Sequence, residues 1–311
     1  MSEPTPHQPV LYNEIIHALK PRSPGRYVDG TLGAGGHARG ILEASQPEGL
    51  LLGMDVDPEA LDIARKNLQL FDDRVILVRA SYADLSVQLD ALGWDSVSGI
   101  LLDLGLSSMQ LGSAERGFSF QIDAPLDMRF DPQSPLSADD LVNRLPEQEL
   151  ADILFKYGEE RRSRQIAKAI VQVRPIHRTR ELAQVVGSAS HSSPTGIHPA
   201  TRTFQALRIA VNKELEAVEV VLPQAVSRLS PGGRLAVISF HSLEDRIVKR
   251  FFRQESTDCL CPPRQPVCTC GHRATITEIA RRPVRPSEEE VQTNPRSRSA
   301  RLRVAEKLEA Q

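Results

Sequence analysis

Asp29, Asp55, Tyr82 and Asp103 each stand at the end of a short apolar run, or just past one, in the first third of this 311-residue chain. Runs of that length and spacing read as parallel strands, and the carboxyl ends of such strands are where open α/β sheets hold ligands. After Asp29 comes Gly30-Thr31-Leu32-Gly33-Ala34-Gly35-Gly36-His37. Glycines let the backbone approach a ligand closely, and the helix expected next offers free N–H groups at its start. Asp55 follows at about the distance where a carboxylate accepts hydrogen bonds from ribose hydroxyls. The ring of Tyr82 can stack on or flank an adenine. The set points to an adenosyl ligand with an amino-acid tail. Gly33-x-Gly35-x-x-Ala38 also satisfies the dinucleotide fingerprint, whose third position accepts alanine. A nicotinamide-dependent oxidoreductase is therefore a competing reading, and simple capping of strand ends is the plainest one.

Asp103-Leu104-Gly105-Leu106-Ser107-Ser108 stands where amino-methylating enzymes carry Asp or Asn followed by two prolines and an aromatic residue. Methylating an exocyclic amine requires acceptors that turn the nitrogen lone pair toward the methylsulfonium of S-adenosylmethionine. One carboxylate oxygen and one backbone carbonyl suffice, and catalysis is mostly positioning. Asp103 is the candidate for that role. No cysteine lies nearby, which disfavours methylation of a pyrimidine carbon through a thiol adduct.

Other residues carry weaker signals. His241, after the run ending at Phe240, is a candidate proton acceptor or RNA contact, or a structural histidine at a strand end. His198-Pro199 with Arg202 and Gln205 either bind RNA or shape a return to the sheet. Phe118 and Phe120 suit stacking on an extruded base, which chemistry on a paired base requires, but their spacing more often marks core. Cys259-x-Cys261 and Cys268-x-Cys270, followed by His272, form a compact cluster in a proline-rich stretch. Four thiolates can hold zinc tetrahedrally, although C-x-C is tighter than the usual spacing. Reduced free thiols are the alternative, and no metal ligand is counted among the site residues.

The elements that must position these groups are legible in outline. Arg26–Asp29, Gly49–Asp55, Arg74–Arg79 and Val97–Asp103 read as strands, separated by helices around Ala38–Ala44 and after Pro58. From Leu104 to Ala206 the alternation stops and helical periodicity takes over, with Leu150, Ile153, Leu154 and Tyr157 on one face. Arg161, Arg164 and Lys168 form a basic stripe suited to phosphates or to solvent. A helix over Leu215–Leu229 ends at the turn cluster Ser230-Pro231-Gly232-Gly233, and strands follow at Arg234–Phe240 and Ala300–Ala305. Ser287–Ser299 is polar and reads as loop. The expected architecture is a doubly wound Rossmann-like α/β sheet formed by residues 1–103 and 207–311, with a helical domain inserted over 104–206 for RNA recognition.

Composition narrows the class. A hydrophobic content of 40% with 25% charged residues is ordinary for a globular protein. No stretch approaches the roughly 20 apolar residues of a membrane span, and the N-terminus lacks the basic and apolar regions of a secretion signal. A cytoplasmic protein with reduced cysteines is expected. The net charge of −2 hides an asymmetry: residues 1–160 carry 12 Lys/Arg against 26 Asp/Glu, and residues 161–311 carry 26 against 14. A basic half beside an acidic half suits an enzyme acting on a polyanion. A non-catalytic RNA-binding assembly protein with a dead pocket stays as the third class of function.

Several blocks then combine. They are Tyr27-Val28-Asp29-Gly30-Thr31 with Gly33-x-Gly35-Gly36-His37, Leu101-Leu102-Asp103-Leu104-Gly105-x-Ser107-Ser108, Glu115-Arg116-Gly117-Phe118-Ser119-Phe120 and Pro125-Leu126-Asp127-Met128-Arg129. Further along stand Lys156-Tyr157-Gly158-Glu159-Glu160, His198-Pro199-Ala200-Thr201-Arg202-Thr203-Phe204-Gln205 and Ile238-Ser239-Phe240-His241-Ser242-Leu243-Glu244-Asp245-Arg246. From about His7 to Ala305 the chain resembles the RsmH family, also called MraW. The resemblance implies a class I methyltransferase that uses S-adenosylmethionine to methylate N4 of a cytidine in the decoding region of 16S rRNA, on the assembled small subunit. It implies cofactor binding by Gly35, Gly36, His37, Asp55, Tyr82, Asp103 and Gln110, with Gly33 in the same glycine turn. The family often has Phe where this chain has Tyr82, a departure that keeps the ring.

Overall fold

Residues 9–107, 109–110, 115–190, 198–262, 265 and 267–309 are described by a computed structural model. The chain forms two compact units, Met1–Gly105 with Leu215–Gln311, and Leu106–Glu214. The first unit opens with helices α1 (Tyr12–Leu19), α2 (Gly36–Ala44), α3 (Pro58–Asn67) and α4 (Leu85–Ala91). The second holds α5 (Ala138–Arg144), α6 (Glu147–Gly158), α7 (Ser163–Val173), α8 (Thr179–Ala189) and α9 (Ala200–Asn212). Then come α10 (Glu214–Arg228), α11 (Ser242–Glu255) and α12 (Glu288–Thr293).

In the first unit, strands β1 (Arg26–Asp29), β2 (Leu50–Asp55), β3 (Val75–Arg79), β4 (Val97–Asp103) and β5 (Leu229–Ser239) run parallel in the order β3-β2-β1-β4-β5. Two more, β6 (Ile276–Glu278) and β7 (Arg301–Lys307), complete it: β7 lies antiparallel to β5, and β6 is the outer edge. Successive strand residues point to opposite faces, and both faces are apolar, as a doubly wound sheet demands. Leu51, Leu101, Ala236 and Ile238 join Ile15, Ile41 and Leu61 in one core. Leu52, Leu102, Leu235 and Val237 join Leu89, Val221, Leu222 and Phe252 in the other. The expected doubly wound sheet is present, with strand limits close to those read from the sequence.

Three local differences have physical causes. The turn cluster Ser230–Gly233 lies within β5: Val97 pairs with Leu229 and Gly99 with Arg234, so the extra residues bulge from the ladder, with Gly232 at φ 73°. The stretch read as loop over Ser287–Ser299 contains α12, because the Ser287 hydroxyl caps Glu290 N–H at 3.1 Å and three glutamates favour the positive helix start. The edge strand β6 spans three residues, too few for a periodicity signal.

In the second unit, Leu150, Ala151 and Leu154 of α6, Ile166, Ala167 and Ile170 of α7 and Phe204, Ala206 and Leu207 of α9 share one core. Helix α9 packs its apolar face there, so the second unit ends after it, at Glu214 rather than at 206.

Candidate active site

The tertiary structure assembles the glycine turn from three strands. Gly30 N–H donates to the Leu101 carbonyl at 3.0 Å, and Leu32 N–H to the Met54 carbonyl at 3.0 Å, which ties the turn to β4 and β2. A methyl group at Gly30 would sit 2.7 Å from Leu102 Cδ2 and 3.1 Å from Tyr82 Cβ, so a larger residue there requires its neighbours to shift. Gly35, at φ 82°, is the N-cap of α2, and neither a side-chain cap nor an acidic residue occupies that helix start. The partial positive charge of the helix start is therefore left for an anionic group.

Around this turn the strand ends converge. The Asp55 carboxylate accepts from Gly33 N–H at 2.8 Å and Asp57 N–H at 2.9 Å, one bond on each oxygen. Asp103 N–H donates to the Thr31 hydroxyl at 2.6 Å, and Thr31 N–H donates to the Asp29 carboxylate at 3.1 Å. His37 is buried with Nε2 2.9 Å from the Val10 carbonyl, and its Nδ1 is 3.7 Å from Asp103 Oδ2. Gly33, Gly35, Gly36 and His37 follow β1, Asp55 ends β2, Tyr82 comes after β3 and Asp103 ends β4, so these residues stand at the carboxyl ends of adjacent strands in the first unit. Gln110 belongs to the second unit, where its side-chain oxygen accepts from Ser107 N–H at 3.0 Å. Ser108 lies outside the described residues.

Three carboxyl groups, all at least partly buried, gather at these strand ends. Burial lifts the Asp29 carboxyl to about 7, opposed by the Thr31 N–H and reinforced by Asp55. Burial likewise raises Asp55, against the N–H groups of Asp57 and Gly33. Asp103 is held well above the usual carboxylate range, first by burial and then by the charges of Asp29 and Glu244. Its Oδ1 is buried with no hydrogen-bond partner among the described residues. An unpartnered buried acceptor costs about 1–3 kcal/mol, which a ligand donor or cation would offset. Burial pushes His37 the other way, to about 4, so the imidazole is neutral.

The remaining candidates take structural positions. His241 is the N-cap of α11: its Nδ1 accepts from Glu244 N–H at 3.4 Å, and Glu244 reaches back to Phe240 N–H at 2.9 Å. In the second unit, Phe118 is buried, and Phe120 packs on Phe204 and on the His198 ring with centroids 5.1 and 4.6 Å apart, the core reading of that pair. Gln205 donates to the Tyr157 carbonyl at 3.1 Å, while the exposed Arg202 lies 4.0 Å from Glu160. Arg161 precedes α7, and Arg164 and Lys168 lie exposed on it. Sequence reasoning missed Thr31, Val10 and Glu244. Only Glu244 left a signal, as the glutamate three residues after an N-cap in a capping box.

The model of the MraW methylase family matches residues 4–308. The chain is 53% identical over 307 residues to a protein of Thermomicrobium roseum named ribosomal RNA small subunit methyltransferase H, covering 98% of this chain and 94% of that one. It is 54% identical over 310 residues to the protein of the same name from Geotalea uraniireducens, covering 97% and 98%. Among solved structures, an rRNA methylase from Streptococcus thermophilus aligns with a TM-score of 0.42 at 12% identity, over 96% of this chain and 94% of that one.

Proposed function

The chain belongs to the MraW methylase family, and on that premise we propose that it transfers a methyl group from S-adenosylmethionine to N4 of a cytidine in the decoding region of 16S rRNA, within the assembled small ribosomal subunit. The observation that carries this reading is Asp103: a carboxyl at the end of β4 whose Oδ1 is buried and unpartnered, beside a glycine turn and two further carboxyls.

When bound, S-adenosylmethionine supplies an electrophilic methyl group on a sulfonium. The crevice residues fit that cofactor chemically. The uncapped start of α2 suits its carboxylate, and each Asp55 oxygen keeps a lone pair for a ribose hydroxyl. Tyr82 offers the adenine a ring. Asp29, Asp55 and Asp103 resist ionising together, and a cation placed among them lowers the cost of their charge.

Asp103 acts as the orienting acceptor for the cytidine amine. It also stabilises the positive charge that develops on N4, the electrostatic part of catalysis. No strong base is needed, because the amine nitrogen can lose its proton after transfer. His241 Nδ1 already accepts from Glu244 N–H, while its Nε2 is buried without a hydrogen-bond partner among the described residues.

RNA recognition is assigned to the second unit, where Arg164 and Lys168 stand exposed on α7. Among the described residues no helix is long and apolar enough to cross a membrane; a ribosomal substrate supports a cytoplasmic site of action. The test is methyl transfer from labelled S-adenosylmethionine to small subunits isolated without this modification, followed by mass spectrometry of the rRNA nucleosides. The expected product is N4-methylated cytidine at one position. A methyl group on carbon-5, or on another RNA, would replace this reading.

A further inference from the structure

Between α11 and β6 the chain makes an excursion over residues 256–275, and none of its described residues is buried. Leu260 and Val267, its large apolar side chains, are 45% and 71% exposed. The excursion nevertheless closes on itself. Thr275 N–H donates to the Glu255 carbonyl at 2.8 Å, and Ala274 N–H to the Asp258 carboxylate at 3.2 Å. A segment of this size with no apolar core needs a staple to hold one conformation.

The four cysteines are placed to be that staple. Cys259 Sγ lies 3.5 Å from Cys268 Sγ and 3.9 Å from Cys270 Sγ, and Cys268 Sγ lies 3.6 Å from Cys270 Sγ and 4.0 Å from Cys261 Sγ. All four sulfurs fall within 4.8 Å of one another, and none is in a disulfide. A tetrahedral zinc tetrathiolate with Zn–S bonds of about 2.3 Å has sulfur–sulfur edges of about 3.8 Å. The observed separations scatter around that value. Backbone N–H groups point at two of the sulfurs, Leu260 at Cys270 (3.3 Å) and Thr269 at Cys261 (3.4 Å), the outer bonds that metal-bound thiolates favour. His272 is engaged elsewhere, with Nε2 3.0 Å from the Gln254 carbonyl.

We propose that Cys259, Cys261, Cys268 and Cys270 bind one zinc ion as a closed tetrathiolate site that folds the excursion between α11 and β6. Four thiolates in tetrahedral array suit zinc, or iron in sulfur-rich centres. With four protein ligands, no position is left for water or substrate, so the ion is structural.

The test uses the full chain, purified under reducing conditions without chelators. Elemental analysis should find about one zinc per chain, and a Cys259→Ser/Cys268→Ser double variant should lose it. Chelation should open residues 256–275 to limited proteolysis, and added zinc should restore protection, with S-adenosylmethionine affinity unchanged throughout. Titrating the metal-free protein with Co(II) should produce the absorption of a tetrahedral thiolate complex. A metal-free protein whose excursion resists protease as well as the zinc-treated form would overturn the site. So would full zinc retention by the double variant, iron in place of zinc, or two disulfides in the reduced preparation.

Discussion

His37 Nδ1 lies 3.7 Å from Asp103 Oδ2, and burial shifts the two in opposite directions, His37 down to about 4 and Asp103 well above the usual carboxylate range. The Val10 carbonyl can only accept, so His37 Nε2 bears the ring hydrogen and Nδ1 turns a lone pair toward Asp103. A lone pair facing a carboxylate favours the protonated acid. Burial opposes ionisation of Asp103, and a cation placed beside it would favour the charged form, so under the proposed function that charge takes part in cofactor recognition as well as in methyl transfer.

Replacing Asp103 by Asn keeps the size and one acceptor oxygen but removes the negative charge. The variant should fold normally and lose about 10²–10³ in the rate of methyl transfer, roughly 3–4 kcal/mol. Single-turnover assays on undermethylated small subunits at saturating cofactor isolate the chemical step. A wild-type rate would move the catalytic centre away from Asp103.

Cofactor binding should release protons near neutral pH. In the free protein Asp29 titrates near 7 and Asp103 is raised, and a bound cation lowers both. A carboxyl whose pKa falls on binding gives an affinity that rises with pH through its free-state value and is lost as pH drops below it. Calorimetry at pH 7 in buffers of different ionisation enthalpy should therefore give different apparent binding enthalpies, and Asp103→Asn should shrink the difference. Buffer-independent enthalpy in the wild type would contradict the linkage.

Asp55→Ala should weaken S-adenosylmethionine binding by about 1–3 kcal/mol, since the ribose hydroxyls lose a charged acceptor. Because Asp55 also holds Gly33 N–H, the melting temperature should be followed in parallel. Unchanged affinity would remove Asp55 from the site.

If the second unit engages rRNA through its basic stripe, association with small subunits should fall steeply with salt as displaced counterions are released. Changing Arg161, Arg164 and Lys168 together to Gln should flatten the log–log slope by about two to three if each neutralises one phosphate. An unaltered slope would return these residues to an ordinary solvated surface.

What the sequence determined by itself is the part written in short-range pattern. Apolar runs ending at Asp29, Asp55 and Asp103 located strand ends, and a glycine turn before a helix located the ligand-facing backbone, because period and turn chemistry act over a few residues. Tertiary structure alone decided what depends on distant neighbours. Leu11 N–H, at the start of α1, is capped by Glu290 of α12 across 279 residues of sequence, a tie no local pattern announces. Asp103 owes its raised pKa to burial and to Asp29 and Glu244, a field no local spacing encodes. The cysteines were visible as a spacing, but their approach to a tetrahedron required the closure of the excursion between Glu255 and Thr275. Desolvation and through-space charge are properties of the packed chain, so they enter only when the elements meet.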